Sequence, residues 1–220
     1  MIDFGTQNPY PVLVKTADTI QQFFGAIKDI CDSISRKEIE EAVDVLFQAW
    51  KNEKTIFIIG NGGSASTATH FAADLVQCTL SPHTKRVKAV SLFDNVPLTS
   101  ALVNDRGWDA VYLEQLKTFA VKGDVCIGIS VHGGAGKDKA GAWSQNLLQG
   151  LQYVKDLGGK TIGLIGFDGG AMKGLVDVPI VVPANSTPLV EGFHVVLHHL
   201  IASSLKQRIE QEVGISSPRA

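Results

Sequence analysis

Five short apolar runs confine this chain to one class of fold. They are TIFIIG (55–60), VKAVSL (87–92), DVCIGIS (124–130), KTIGLIG (160–166) and VPIVVP (178–183). None alternates polar with apolar residues as a half-exposed strand does. Continuous runs of this kind belong to strands covered on both faces of a parallel sheet. Parallel neighbours need crossover connections, and helices usually supply them. Helical stretches fall between the runs, at 64–78, 97–104, 109–121, 144–157 and 171–176, and a long one closes the chain from about 188 to 211. The pattern predicts an α/β fold, a doubly wound five-stranded parallel sheet flanked by helices.

Ahead of the first run, residues 17–34 and 37–51 carry apolar residues at helical spacing. Ile20, Phe23, Phe24, Ile27 and Ile30 form one stripe; Ile39, Val43, Leu46 and Trp50 form another. They predict an N-terminal helical hairpin, with a face available to another subunit. No repeat or low-complexity linker interrupts the chain. Residues 1–220 therefore read as a single domain, with helices over 1–52 and the α/β sandwich over 53–220.

Composition removes several function classes. A formal net charge of −2 provides no basic field for nucleic acid. The densest basic run, KRVK at 85–88, reads as a solvated lead-in to a strand. Cys31, Cys78 and Cys126 are odd in number and far apart, which argues against a disulfide framework or a CxxC metal site. No stretch approaches the ~18 consecutive apolar residues of a membrane span. The start, MIDFGTQNPYP, lacks a secretory pattern. The expectation is a cytoplasmic protein with neither membrane nor nucleic-acid partners.

In doubly wound sheets, ligands sit beyond the carboxyl ends of the strands. GNGGSAS (60–66) occupies that place after the first strand. Gly62 and Gly63 let backbone approach a ligand, the opening turn of the helix favours anions, and Asn61 and Ser64 add polar side chains. The spacing matches neither a dinucleotide fingerprint nor a Walker loop. A second such turn, ISVHGGAGKDKAG (129–141), offers Ser130, His132, Gly133 and Gly134 to the same crevice. Lys137 and Lys139 in it are either solvated charges or phosphate contacts.

His70 and Asp74 lie four apart and share a helix face. An imidazole beside a carboxylate suits zinc or another borderline divalent ion, or an ordinary hydrogen bond. The last helix, LVEGFHVVLHHLIA (189–202), adds Glu191, His194, His198 and His199 to an otherwise apolar segment. Burying imidazoles without partners costs free energy, so this face reads as functional. Glu191, His194 and His198 lie near one stripe. Glu191 and His199 are offset by ~80° and ~12 Å along a regular helix. For both to reach one metal, Glu191 must precede the regular helix or come from another subunit.

These motifs are specific enough to carry a resemblance. GNGGSAS followed by HFAADL, DNVPLTSALVNDRGW (94–108), GDVCIGIS (123–130), LGGKTIGLIGFDGG (157–170) and EGFHVVLHH (191–199) together resemble the sugar isomerase (SIS) domain. Within it, the chain is similar to the phosphoheptose isomerases, which convert sedoheptulose 7-phosphate to a heptose phosphate. The resemblance implies substrate binding by Asn61, Gly62 and Gly63, and by Asn104 and Asp105. It implies a divalent metal, with zinc expected, on His70, Asp74, Glu191 and His199. Asp74 and His199 would be the acid and base of an aldose–ketose isomerisation through an enediol. It further implies a homotetramer with active sites between subunits.

The sequence departs from the family pattern at several of these positions. Asp74 stands where glutamate is usual, and Glu191 where glutamine is usual. Ser130-Val131-His132-Gly133-Gly134-Ala135 replaces a hydroxyl-rich phosphate loop, and extra residues follow around 136–143. Cys78 stands at a usual arginine, and Pro188-Leu189 at a usual Asp-Arg. The alternatives are an isomerase of a different sugar and a catalytically silent member that binds a sugar phosphate or a protein partner.

Overall fold

The computed structural model of the protein describes residues 15–79, 84–134 and 143–214. Five parallel strands form one sheet: β1 (Thr55–Gly60), β2 (Lys88–Ser91), β3 (Val125–Ser130), β4 (Lys160–Gly166) and β5 (Val178–Val182). Their order is β2-β1-β3-β4-β5. The winding therefore reverses between β1 and β3, and a crevice opens beyond their carboxyl ends.

Eight α-helices accompany the sheet in the described residues. They are α1 (Thr16–Ser33), α2 (Arg36–Lys51), α3 (Gly63–Gln77), α4 (Val96–Arg106), α5 (Val111–Phe119), α6 (Gln145–Asp156), α7 (Gly170–Leu175) and α8 (Thr187–Glu212). Alternate residues of each strand serve opposite faces, as the two-residue period of a strand requires. Ile56 and Ile58 of β1 join a core with α2, α3 and α8; Phe57 and Ile59 join a second core with α5, α6 and α7. Both faces of the sheet are thus covered, which explains the continuous apolar runs.

The predicted elements form, with three differences of physical interest. β2 is shorter than 87–92, because the Val87 N–H donates to Thr79 Oγ1 at 2.9 Å. The stretch predicted helical over 109–121 begins with a 3-10 turn, Trp108–Ala110, after Gly107 takes φ of 86°. The stripe on α2 is buried throughout, whereas on α1 only Ile30 is buried; Phe24 at the other end is 66% exposed. The extra residues after Ala135, with Lys137 and Lys139, lie outside the described residues, apart from Trp143.

The long helix α8 buries His194 in the first core. Neither ring nitrogen makes a well-formed hydrogen bond. Burial pushes His194 down to about 4 from 6.5, with the backbone of Ile165 acting weakly against it. The unfolded chain therefore binds more protons in that window, and stability falls as pH drops from about 6.5 to about 4. The loss from this residue is on the order of 3 kcal/mol. Urea unfolding of wild type and His194→Leu across this range checks it. The variant is expected to lose less stability on acidification, and parallel curves would contradict the assignment.

Candidate active site

The glycine turn after β1 is built by contacts that only small residues permit. A β-carbon on Gly63 would stand 2.8 Å from Glu191 Oε1, so the absence of one lets Glu191 of α8 lie against the start of α3. The turn is braced from below by Tyr112 on α5, whose hydroxyl donates to the Gly60 carbonyl. Asn61 is fixed by a reciprocal amide pair with Asn146 of α6, at 3.0 and 2.8 Å. Asn146 Oδ1 also accepts from the Leu147 N–H at 3.0 Å.

The second loop closes over the same crevice. Ser130 Oγ accepts from the Gly133 N–H at 3.1 Å, and Gly133 packs against the Gly169 carbonyl so closely that any β-carbon would overlap it. The two loops bound a cavity of about 160 Å³ lined by Asn61, Ser64, Ser130, His132, Trp143 and Glu191, among others. His132 stacks near Phe167, with centroids 4.2 Å apart, and meets Trp143 at 5.8 Å. The cavity wall therefore combines polar and aromatic side chains.

Farther along α3, a cluster of ligand-competent side chains forms against α8. His70, Asp74, His198 and His199 each offer one atom, and these atoms lie within 4.8 Å of one another. Asp74 Oδ2 is 3.2 Å from His198 Nδ1 and 2.9 Å from His199 Nδ1. His70 Nε2 lies 3.7 Å from Asp74 Oδ1. Despite this closeness, Asp74 Oδ2 and both nitrogens of His198 are buried without a hydrogen-bond partner. The groups crowd one another without lining up donor to acceptor.

The electrostatics suit a cation. Burial, then the neighbouring rings of His199 and His70, push His198 down to about 4, so it is neutral at pH 7 with its lone pair available. Three imidazoles and one carboxylate are a donor set that matches zinc. His70 and His199 are about half exposed while His198 is fully buried, so the cluster is closed beneath and open above.

The predicted site residues thus fall into three groups. His70, Asp74 and His199 come together. Asn61, Gly63, Ser64, Ser130, His132 and Glu191 gather at or beside the cavity, with Gly62 preceding α3. Asn104 and Asp105 lie apart, exposed at the end of α4 and hydrogen-bonded to each other at 2.8 Å. Glu191 lies in the regular part of α8 and outside the four-residue cluster. Asn146, Tyr112 and Trp143 also serve the site, beyond the residues that the sequence motifs mark. No local motif marks the first two, because their roles arise from contacts 85 and 52 residues away in the chain.

Comparison with known proteins places this architecture. The SIS domain profile matches residues 22–166. The chain belongs to the SIS domain family. A phosphoheptose isomerase from Helicobacter pylori (strain P12) is 34% identical over 194 residues, covering 86% of this chain and 95% of that protein. The lincomycin biosynthesis protein LmbN of Streptomyces lincolnensis is 40% identical over 161 residues, which span 71% of this chain and 58% of that protein. The solved phosphoheptose isomerase GmhA from Neisseria gonorrhoeae superposes with a TM-score of 0.75 at 26% identity, covering 87% of this chain and 96% of that one. Within the SIS family the chain falls in the phosphoheptose isomerase group, whose members are sugar-phosphate isomerases.

The contact between Gly63 and Glu191 yields a direct prediction for this SIS-domain protein. Gly63→Ala pushes the Glu191 carboxylate by about 1 Å, enough to cost on the order of 100-fold in turnover of a sugar phosphate. Thermal melts alongside kinetics check it. The melting temperature should fall little compared with activity, and unchanged turnover would show that Glu191 need not sit there.

Proposed function

We propose that this chain is a metal-dependent aldose–ketose isomerase of a phosphorylated sugar, with sedoheptulose 7-phosphate as substrate and a heptose 7-phosphate as product. The observation that carries the reading is the meeting of His70, Asp74, His198 and His199 between α3 and α8. The orphaned Asp74 Oδ2 and His198 nitrogens fit a cation that would satisfy them. The relatives named phosphoheptose isomerase support a heptose phosphate as the sugar.

The chemistry needs one proton moved between adjacent carbons. A base takes the proton from the carbon beside the carbonyl, and the C–H electron pair forms the carbon–carbon double bond of an enediol. An acid then protonates the neighbouring carbon, while the hydroxyl proton passes from one oxygen to the other, so isomerisation is balanced without oxidant or reductant. Asp74 and His199 are the proposed pair. Asp74 Oδ2 faces His198 and His199 while Oδ1 lies on the His70 side. A divalent ion, zinc in this reading, would be held by the cluster of His70, Asp74, His198 and His199 and would supply stabilisation of negative charge developing on the substrate oxygens.

The cavity takes the rest of the substrate. Asn61, held by Asn146, and Ser64 present polar groups to sugar hydroxyls or phosphate, and Ser130 and His132 face them from the second loop. Asn104 and Asp105 remain proposed substrate contacts, reached across a subunit boundary. Exposed Phe23 and Phe24 on α1 and Val196 and Leu200 on α8 support self-association as a homotetramer. A cytoplasmic setting is consistent with the absence, among the described residues, of a helix long and apolar enough to cross a membrane. The hydroxyl-poor loop at Ser130–Gly134 favours one competing reading, a silent sugar-phosphate binder.

Purified protein supplied with sedoheptulose 7-phosphate is expected to form an aldose phosphate. Chelation should stop the reaction, zinc should restore it, and His199→Ala should lower it by ~100- to 10,000-fold. Binding of the sugar without turnover, with zinc present, would favour the silent reading. Full turnover after complete metal removal would end the metal-dependent one.

A further inference from the structure

We infer that His198 is the fourth metal ligand of this chain, in the place the family resemblance gives to Glu191. Glu191 is left in the cavity to accept hydrogen bonds from sugar hydroxyls. The inference rests on the metal-dependent reading and concerns how this particular sequence builds the centre.

The helix register carries the argument. Glu191 lies against Gly63, and His198 against His70 with ring centroids 4.6 Å apart. Both steps are seven residues, 63 to 70 and 191 to 198, so α3 and α8 run in the same direction with matched contacts ~10.5 Å apart. Glu191 sits one full step away from the cluster, farther than its side chain extends. Because α8 is regular from Thr187, Glu191 does not gain reach by preceding the helix. Within one chain, the place nearest Asp74 and His199 is taken by His198.

The surroundings of His198 call for a partner that the protein itself does not provide. Its side chain is completely buried, both ring nitrogens lack hydrogen bonds, and Asp74 Oδ2 beside it also lacks one. Phe71 covers the ring on one side, with centroids 5.5 Å apart, and His199 flanks it at 4.2 Å. A residue serving only to fill the core there would be apolar. A divalent cation would satisfy the orphaned oxygen and an orphaned nitrogen at once, leaving Glu191 among Asn61, Ser64 and Ser130.

The test is zinc binding to full-length protein stripped of metal, measured by competition with a chelator, with cobalt absorption reporting the coordination sphere. Wild type is expected to take one zinc per chain. His198→Leu keeps the packing and removes the ligand; it should weaken zinc by ~100-fold or more and alter the visible cobalt bands, whereas Glu191→Ala should stay within about threefold of wild type. Metal-free His198→Leu should melt no lower than metal-free wild type, since it loses a buried unsatisfied ring. If that variant fails to fold, His198→Gln gives the same affinity comparison. Unchanged affinity and cobalt bands in the His198 variants, or loss of zinc in Glu191→Ala, would overturn the inference and leave the metal reading standing. Failure of the wild type to take up zinc or cobalt would overturn both.

Discussion

The register between α3 and α8 is the constraint on which the site depends. Two helices from opposite ends of the sandwich pack side by side on one face of the sheet, and their contact sets two levels. At the first, Gly63 admits Glu191; at the second, His70 and Asp74 meet His198 and His199. Phe71 and Leu75 on α3 and Leu197 and Ile201 on α8, all buried in the same core, hold this alignment. Slipping the helices by one turn, ~5.4 Å, would separate every one of these pairs. The cluster of ligand-competent side chains and the placing of Glu191 are therefore consequences of one packing interaction.

The sheet contributes the second half of the design. Its winding reverses between β1 and β3, so the loops that follow those strands diverge and leave room for a ligand. Both loops are pinned where they begin. Tyr112 and Asn146 fix the first from the opposite face of the sheet, while the glycine contacts at Gly133 and Gly169 fix the second. Such fixing matters for an isomerase, because misplacing a reacting group by ~1 Å can cost ~100-fold in rate. The half-exposed rings of His70 and His199 leave the upper side of the cluster open.

Much of this was legible in the sequence, for physical reasons that differ by element. β4 occupies residues 160–166 as read, since a strand covered on both faces leaves an uninterrupted apolar run. The His70–Asp74 pair was legible because helical periodicity alone puts residues four apart on one face. Periodicity could not choose between His198 and His199, because the choice depends on what α3 presents to them. Asn146 was illegible for the same kind of reason: its role is a bond to Asn61 that exists only once β1 and α6 have packed. The exposure of Phe23 and Phe24 was also beyond the pattern, which marks an apolar stripe without saying what covers it.

The proposed function turns on a cation between α3 and α8, held by side chains of one chain. A crystal structure of zinc-loaded wild type, with diffraction recorded at the zinc absorption edge, tests this most directly. The expected result is one anomalous peak per chain within ~2.0–2.2 Å of ligand atoms from His70, Asp74, His198 and His199. A peak whose ligands include Glu191 in place of His198, or no peak between the two helices, would contradict it.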